Sequence, residues 1–182
     1  MGACPRRFIA KGDHTLSRES NYSGAINQAL YFARLLAEQG QLLEQTNDGG
    51  RFQGQQLQCY CEASLDALHR SLFFLVQATL PKDDGADSGS AIAPGGLEGM
   101  LDRALQGQPS QVLQELAGAL RQTTPISAML QTYRRLWQVK AWRVKTDEIS
   151  TAEIHLSPSD CLLWQQEITQ LHTRIREHGE EY

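Results

Sequence analysis

The sequence predicts an all-α protein, a mostly antiparallel bundle of about five helices that folds as one domain. Apolar residues recur every three or four positions along most of the 182-residue chain, which is the spacing of a helix with one buried face. Clusters of Gly, Pro, Asp and Ser separate these stretches, and no stretch shows the sustained alternation of a strand. The 41% hydrophobic and 21% charged residues are ordinary values for a globular domain that builds its own core.

The first predicted helix begins near Tyr22 and runs to Leu43. Its apolar positions are Tyr22, Ile26, Ala29, Leu30, Ala33, Leu36, Ala37 and Leu43. It should end at residues 46–50, because Thr-Asn-Asp-Gly-Gly tolerates left-handed backbone angles. Residues 1–19 lack periodicity and are predicted to be a flexible N-terminal segment, so the bundle domain should span 20–178.

The second predicted helix has a near-heptad row of apolar residues, the pattern that packs along an antiparallel neighbour. The row consists of Leu57, Cys61, Leu65, Leu68, Leu72, Leu75 and Thr79. Tyr60, Phe73 and Phe74 widen this apolar face. We therefore expect the second helix to be covered on more than one side and to lie in the middle of the bundle.

Residues 81–96 are predicted to form a mobile loop, since they hold Gly, Asp, Ser and Pro and few groups that could be buried. Short helices should follow around Leu101 and Leu116. Thr124-Pro125 and Ser157-Pro158 each place a capping hydroxyl before a proline, which favours a helix start. Residues 146–156 are ambiguous and are interpreted as a crossover, and 179–182 should fray.

The net charge and composition of the chain argue against several classes of protein. The net charge of −4 gives the whole chain no electrostatic attraction to nucleic acid or to an anionic membrane. No apolar run approaches the roughly 20 residues that span a bilayer, and no export signal is recognisable. We therefore expect a cytoplasmic protein that does not bind membranes and whose four cysteines are free thiols.

Two segments carry a family resemblance. Asn27-Gln28-Ala29-Leu30-Tyr31-Phe32-Ala33, together with Glu62-Ala63-Ser64-Leu65 and Leu68-His69, resembles a small family of uncharacterised helical proteins from pseudomonad-type bacteria. The resemblance covers mainly the first two helices and implies a bacterial cytoplasmic helical protein. It transfers no functional residue, and the 81–96 loop and the basic N-terminal extension are departures from the family pattern.

Residue patterns for catalysis or metal binding are not recognisable. A di-iron bundle needs Glu-x-x-His pairs, and no Glu and His are so spaced here. Cys59 and Cys61 are two apart, so on a helix they point in nearly opposite directions and do not form a zinc site. His69 is interpreted as a residue at the core boundary, and His155 lies in irregular backbone without a visible partner. We predict no enzyme activity, no metal and no cofactor.

One basic segment, 121–145, stands out because it contains no acidic residue. Its arginines and lysines alternate with aromatic residues, a combination that could hold a phosphate backbone and stack a base. The alternative interpretation is a solvated helix face, with Trp137 buried and Trp142 at the boundary. The candidate binding residues are Arg134, Arg135, Trp137, Lys140, Trp142, Arg143 and Lys145.

The sequence favours a non-enzymatic protein that interacts with another protein or with itself. Trp and Arg are enriched at interface hot spots, so Trp142 beside Arg143, or Trp164, could anchor such a partner. The alternative function is binding of nucleic acid or a phosphate ligand through residues 121–145.

Overall fold

The computed structural model describes the backbone of residues 14–46, 52–80, 96–106, 109–145 and 154–180. Side chains are described in the same ranges except at 14–21, 139–145 and 179–180. These ranges hold six helices and no strand. The helices are α1 (His14–Thr46), α2 (Gln53–Thr79), α3 (Gly96–Leu105), α4 (Gln111–Arg121), α5 (Pro125–Lys145) and α6 (Pro158–Glu180).

The all-α prediction is confirmed, with six described helices where about five were expected. Helix α1 begins at His14, before the predicted start at Tyr22, and the part of the predicted flexible segment up to residue 13 lies outside the described residues. Residues 81–95 of the predicted loop, 146–153 of the predicted crossover and the last two residues also lie outside them.

Helices α1 and α2 form a long antiparallel hairpin. The Gln53 side-chain amide donates to the Leu43 carbonyl over 2.6 Å near the turn. Further along, the Ser64 hydroxyl donates to the Ala33 carbonyl over 2.9 Å, and the rings of Tyr22 and Phe74 lie 6.4 Å apart at the far end. The contacts therefore involve higher residue numbers on α2 as they involve lower residue numbers on α1, so the two helices are antiparallel.

Helix α2 is the centre of the bundle, as its wide apolar face predicts. Among the described helices it packs against all five others. Leu65, Leu68, Leu72 and Val76 are fully buried, and together with the apolar faces of the other helices they form one continuous core. Since burying a leucine or valine side chain contributes roughly 1.5–3 kcal/mol, this helix supplies much of the free energy that holds the bundle together.

Three helices begin at a hydroxyl cap. The Thr124 hydroxyl accepts a hydrogen bond from the Ser127 amide over 3.1 Å, and the Ser157 hydroxyl accepts one from the Asp160 amide over 3.1 Å. These two caps confirm the predicted starts of α5 and α6. Ser110 caps α4 in the same way, accepting from the Leu113 amide, so each hydroxyl satisfies an amide that the helix leaves without a partner.

Three helices approach one another closely at Gly40 of α1. A methyl group at this position would lie 3.2 Å from Cγ of Pro158 on α6 and 3.4 Å from Leu57 on α2. Helix α6 therefore packs its first turn against the hairpin close to the connection between α1 and α2. None of the described helices combines the length and the apolar character that crossing a membrane requires.

Candidate interaction surface

A shallow groove runs along one side of the α1/α2 hairpin. Two clefts, of about 620 and about 470 Å³, follow one another between the helices. We call them together the hairpin groove. Their apolar lining includes Phe32, Leu36, Leu42, Leu43, Phe52 and Phe74.

The two clefts are sections of a single groove because their linings continue the same row on each helix. On α1 the row passes through residues 25, 29, 32, 36, 39, 43 and 46, and on α2 through 52, 56, 59, 63, 67, 70 and 74. Steps of three and four keep each row on one helix face. The α1 row is displaced by one residue, about 100° around the axis, from the core row of Ile26, Leu30 and Ala33.

Large apolar side chains stand exposed beside this groove. Phe32 is 49%, Leu42 53% and Phe52 59% exposed, and all three line the clefts. Tyr31, also exposed, lies beside Phe32 with its ring tilted and 6.1 Å between ring centres. Contiguous exposed apolar surface on a folded domain commonly marks a binding site for another protein, so the hairpin groove is the candidate interaction surface.

The charges at the groove are of both signs. Asp66 and Arg70 line it one helical turn apart on α2. On α1, the Arg34 guanidinium lies 3.5 Å from the Glu38 carboxylate and 6.0 Å from the centre of the Tyr31 ring. The groove therefore does not select a strongly acidic or strongly basic ligand by long-range electrostatics.

The basic segment on α4 and α5 is partly neutralised by helix α3. The Arg134 guanidinium contacts the Glu98 carboxylate, and the Arg121 guanidinium contacts the Asp102 carboxylate. The sequence could not show these pairs because both acids lie outside the segment. Their negative charge reduces the local positive potential that a phosphate backbone would meet.

The structure describes the side chains of some of the other candidate residues in this segment, but not of all of them. Arg135 is exposed. Trp137 is 40% exposed rather than buried, with its ring 6.1 Å from that of Tyr133. Lys140, Trp142, Arg143 and Lys145 continue the α5 backbone, but their side chains lie outside the described residues.

Two residues singled out in the sequence, the predicted anchor Trp164 and the predicted boundary residue His69, belong to the core. Trp164 is only 7% exposed and takes part in the central apolar cluster, so it is not available to a partner. His69 was expected at the core boundary, but it is 3% exposed and stacks face to face on Tyr133, with ring centres 3.9 Å apart and planes within 7°.

The buried stack changes the acid–base properties of both rings. Burial lowers the pKa of His69 to about 4, because a charged imidazolium loses its hydration there. Burial and the charge of Asp66 raise the pKa of Tyr133. His69 is therefore neutral near pH 7 and closed to solvent, which suits a packing role, while His155 is exposed before α6.

The described cysteines occupy two environments. Cys59 is exposed and lines the hairpin groove, whereas Cys61 and Cys161 are buried. In the described part of the chain, no group of three or more His, Cys, Asp or Glu side chains is placed to hold a metal ion.

Comparison with known proteins adds no relative: no protein-family model, no curated protein and no solved structure matches the chain. The resemblance of the first two helices to a bacterial family therefore stays a prediction.

Proposed function

We propose that the protein is a non-enzymatic cytoplasmic interaction protein that associates through the hairpin groove, and that the groove receives the same surface of a second copy. The observation that supports this most is the set of exposed apolar side chains, Phe32, Leu42 and Phe52, that line a groove between two long helices. Covering them removes apolar area from water, which is favourable by about 25 cal/mol per Å².

Two helices that each carry an uncovered apolar row commonly pack against a second pair to form a four-helix bundle. Each helix of the hairpin carries a core row and, on a neighbouring face, a groove row. The core row is already covered by the bundle. A second hairpin laid across the groove would cover the other row with side chains in the same three-and-four spacing, the geometry in which helices interdigitate.

The charges favour a copy of the same chain as the occupant. In a two-fold interface each contact between two different residues occurs twice, with the roles exchanged. Because Asp66 and Arg70 both line the groove, a two-fold arrangement brings the acidic and basic positions of one copy towards those of the other. A groove that carries both signs can therefore be complementary to itself when rotated.

Light scattering after size exclusion tests the proposal. We expect the 20.3 kDa chain to show about twice that mass, with dissociation on dilution. A Phe32→Glu/Phe52→Glu variant should run at the monomer mass with unchanged helical circular dichroism, because a buried unpaired carboxylate opposes association.

Leu163→Glu is the matched control, since Leu163 is 47% exposed on α6, away from the groove. This variant should associate as the unchanged chain does. A chain that is monomeric at every concentration, or that loses association equally with Leu163→Glu, would overturn the proposed self-association.

The alternative function, nucleic-acid or phosphate binding, rests on the basic aromatic segment 121–145. Salt-sensitive binding to single-stranded nucleic acid that is lost in Arg134→Glu/Arg143→Glu would support it. Unchanged self-association in that same variant, without nucleic-acid binding in the original chain, would support the interaction function.

A further inference from the structure

Two cysteines from distant parts of the sequence meet where α1, α2 and α6 pack together. Cys61 on α2 and Cys161 in the first turns of α6 are both fully buried. The sulfur of Cys161 lies 3.7 Å from the carbonyl oxygen of Cys61, a contact between residues 100 positions apart. The two side chains are therefore near neighbours, and each is the first influence on the pKa of the other.

Small residues hold this junction closed. Ala33 and Ser64 are fully buried beside the cysteines, and the Ser64 hydroxyl donates to the Ala33 carbonyl. A short distance along α1, Gly40 lets Pro158 approach. The 3.7 Å contact between the Cys161 sulfur and the Cys61 carbonyl places the two residues on directly facing turns of α2 and α6, and a disulfide requires the two sulfurs to move to a bond length of about 2.05 Å.

The contact makes the two thiols chemically unequal. The hydrogen bond with Cys161 lowers the pKa of Cys61, whereas the same contact and burial raise the pKa of Cys161. Because a thiolate is the nucleophile in oxidation, we assign Cys61 as the thiol that reacts first and Cys161 as the resolving thiol.

We propose that Cys61 and Cys161 form a reversible oxidation site at which hydrogen peroxide generates a disulfide that joins α2 to α6. The thiolate of Cys61 attacks one peroxide oxygen, the O–O bond breaks, and the departing hydroxide takes up a proton as water. The sulfur of Cys161 then attacks the sulfenic acid of Cys61. The S–S bond forms, the S–OH bond breaks, and the hydroxide leaves as water with the Cys161 proton.

In the complete reaction, two thiols and one peroxide give one disulfide and two waters. A small oxidant is required because neither sulfur is exposed. It reaches the pair when the first turn of α6 opens. That turn follows the irregular backbone of residues 154–157, and the ends of helices open locally at lower cost than their middles.

The experiment uses a Cys4→Ser/Cys59→Ser chain, in which only the two junction thiols remain. After peroxide treatment, thiol titration should fall from two groups to none, and a non-reducing digest should yield the Cys61 and Cys161 peptides joined. Because the disulfide closes a loop of about 100 residues, the oxidised chain should unfold on the order of 10 °C higher, reversibly with a dithiol reductant.

Adding Cys161→Ser to this background should abolish the linked peptide and leave a sulfenic acid on Cys61 that a dimedone probe labels. Denaturing the two-cysteine chain before oxidation should slow formation of the internal disulfide by at least about tenfold, since the fold no longer holds the thiols together. Persistence of both thiols in excess peroxide, or faster pairing in the denatured chain, would overturn the proposal.

Discussion

Replacing His69 by phenylalanine should remove a defined part of the pH dependence of stability. Phenylalanine keeps an aromatic ring against Tyr133, where the two rings now lie 3.9 Å apart, but it cannot bind a proton. The difference between the two proteins therefore reports the titration of this one buried imidazole.

The magnitude follows from the pKa of His69, which is about 4 in the folded chain and about 6.5 in an unfolded one. Between these values the unfolded chain binds a proton that the folded chain does not, so the free energy of unfolding falls as the pH falls. The slope approaches 1.4 kcal/mol per pH unit. From about pH 7 to about pH 5 the original chain should lose about 2 kcal/mol through this group.

Urea unfolding followed by far-UV circular dichroism at several pH values measures the effect. His172, whose pKa burial and Arg176 also lower, is present in both proteins, so its contribution cancels in the difference. The loss of stability towards acid should be smaller in His69→Phe by about 2 kcal/mol over that interval. Equal losses in the two proteins would show that His69 is not held neutral by burial.

Four further substitutions test the packing. Gly40→Leu should destabilise the chain by roughly 1–3 kcal/mol because its side chain meets α2 and α6. By contrast, Gly24→Leu, with nothing within 4 Å of its Cβ, should stabilise α1 by about 0.5–1 kcal/mol. Thr124→Ala should cost about 1 kcal/mol by removing the α5 cap. Leu72→Ala should cost about 2–5 kcal/mol, since Leu72 is fully buried. Chemical unfolding measures all four; equal effects at the two glycines would contradict the close helix approach.

Periodicity was sufficient to predict which face of a helix is buried. In the row predicted for α2, all the positions between its two ends are buried, and these are Cys61, Leu65, Leu68, Leu72 and Leu75. Steps of three and four describe one face of a helix whatever covers it. For the same reason the pattern predicted the central place of α2.

Periodicity could not predict what lies opposite each face. His69 follows Leu68 on α2, and nothing in the local sequence indicates that Tyr133, far along the chain, stacks on its ring. The hairpin groove was missed because exposed Phe32 and Phe52 look like core residues in an apolar pattern. Their exposure depends on which sides of α1 and α2 the other helices leave uncovered.

The pairing of Arg134 with Glu98 could not be predicted for the same reason, because it depends on which helices lie next to each other in the fold. A segment can be basic in sequence and still meet acids from another helix once folded. The interpretation of residues 121–145 as a phosphate-binding surface used only charges within the segment, so it could not include α3.

The close packing of α6 against the hairpin also bears on biosynthesis. The hairpin helices are near neighbours in sequence and can pair as soon as residue 79 has left the ribosome. Their junction with α6 cannot form until roughly 80 further residues have been translated, since α6 begins at Pro158. During that interval the part of the hairpin that α6 later covers, which includes Cys61, faces solvent on the nascent chain, and this surface is where we expect a chaperone to bind.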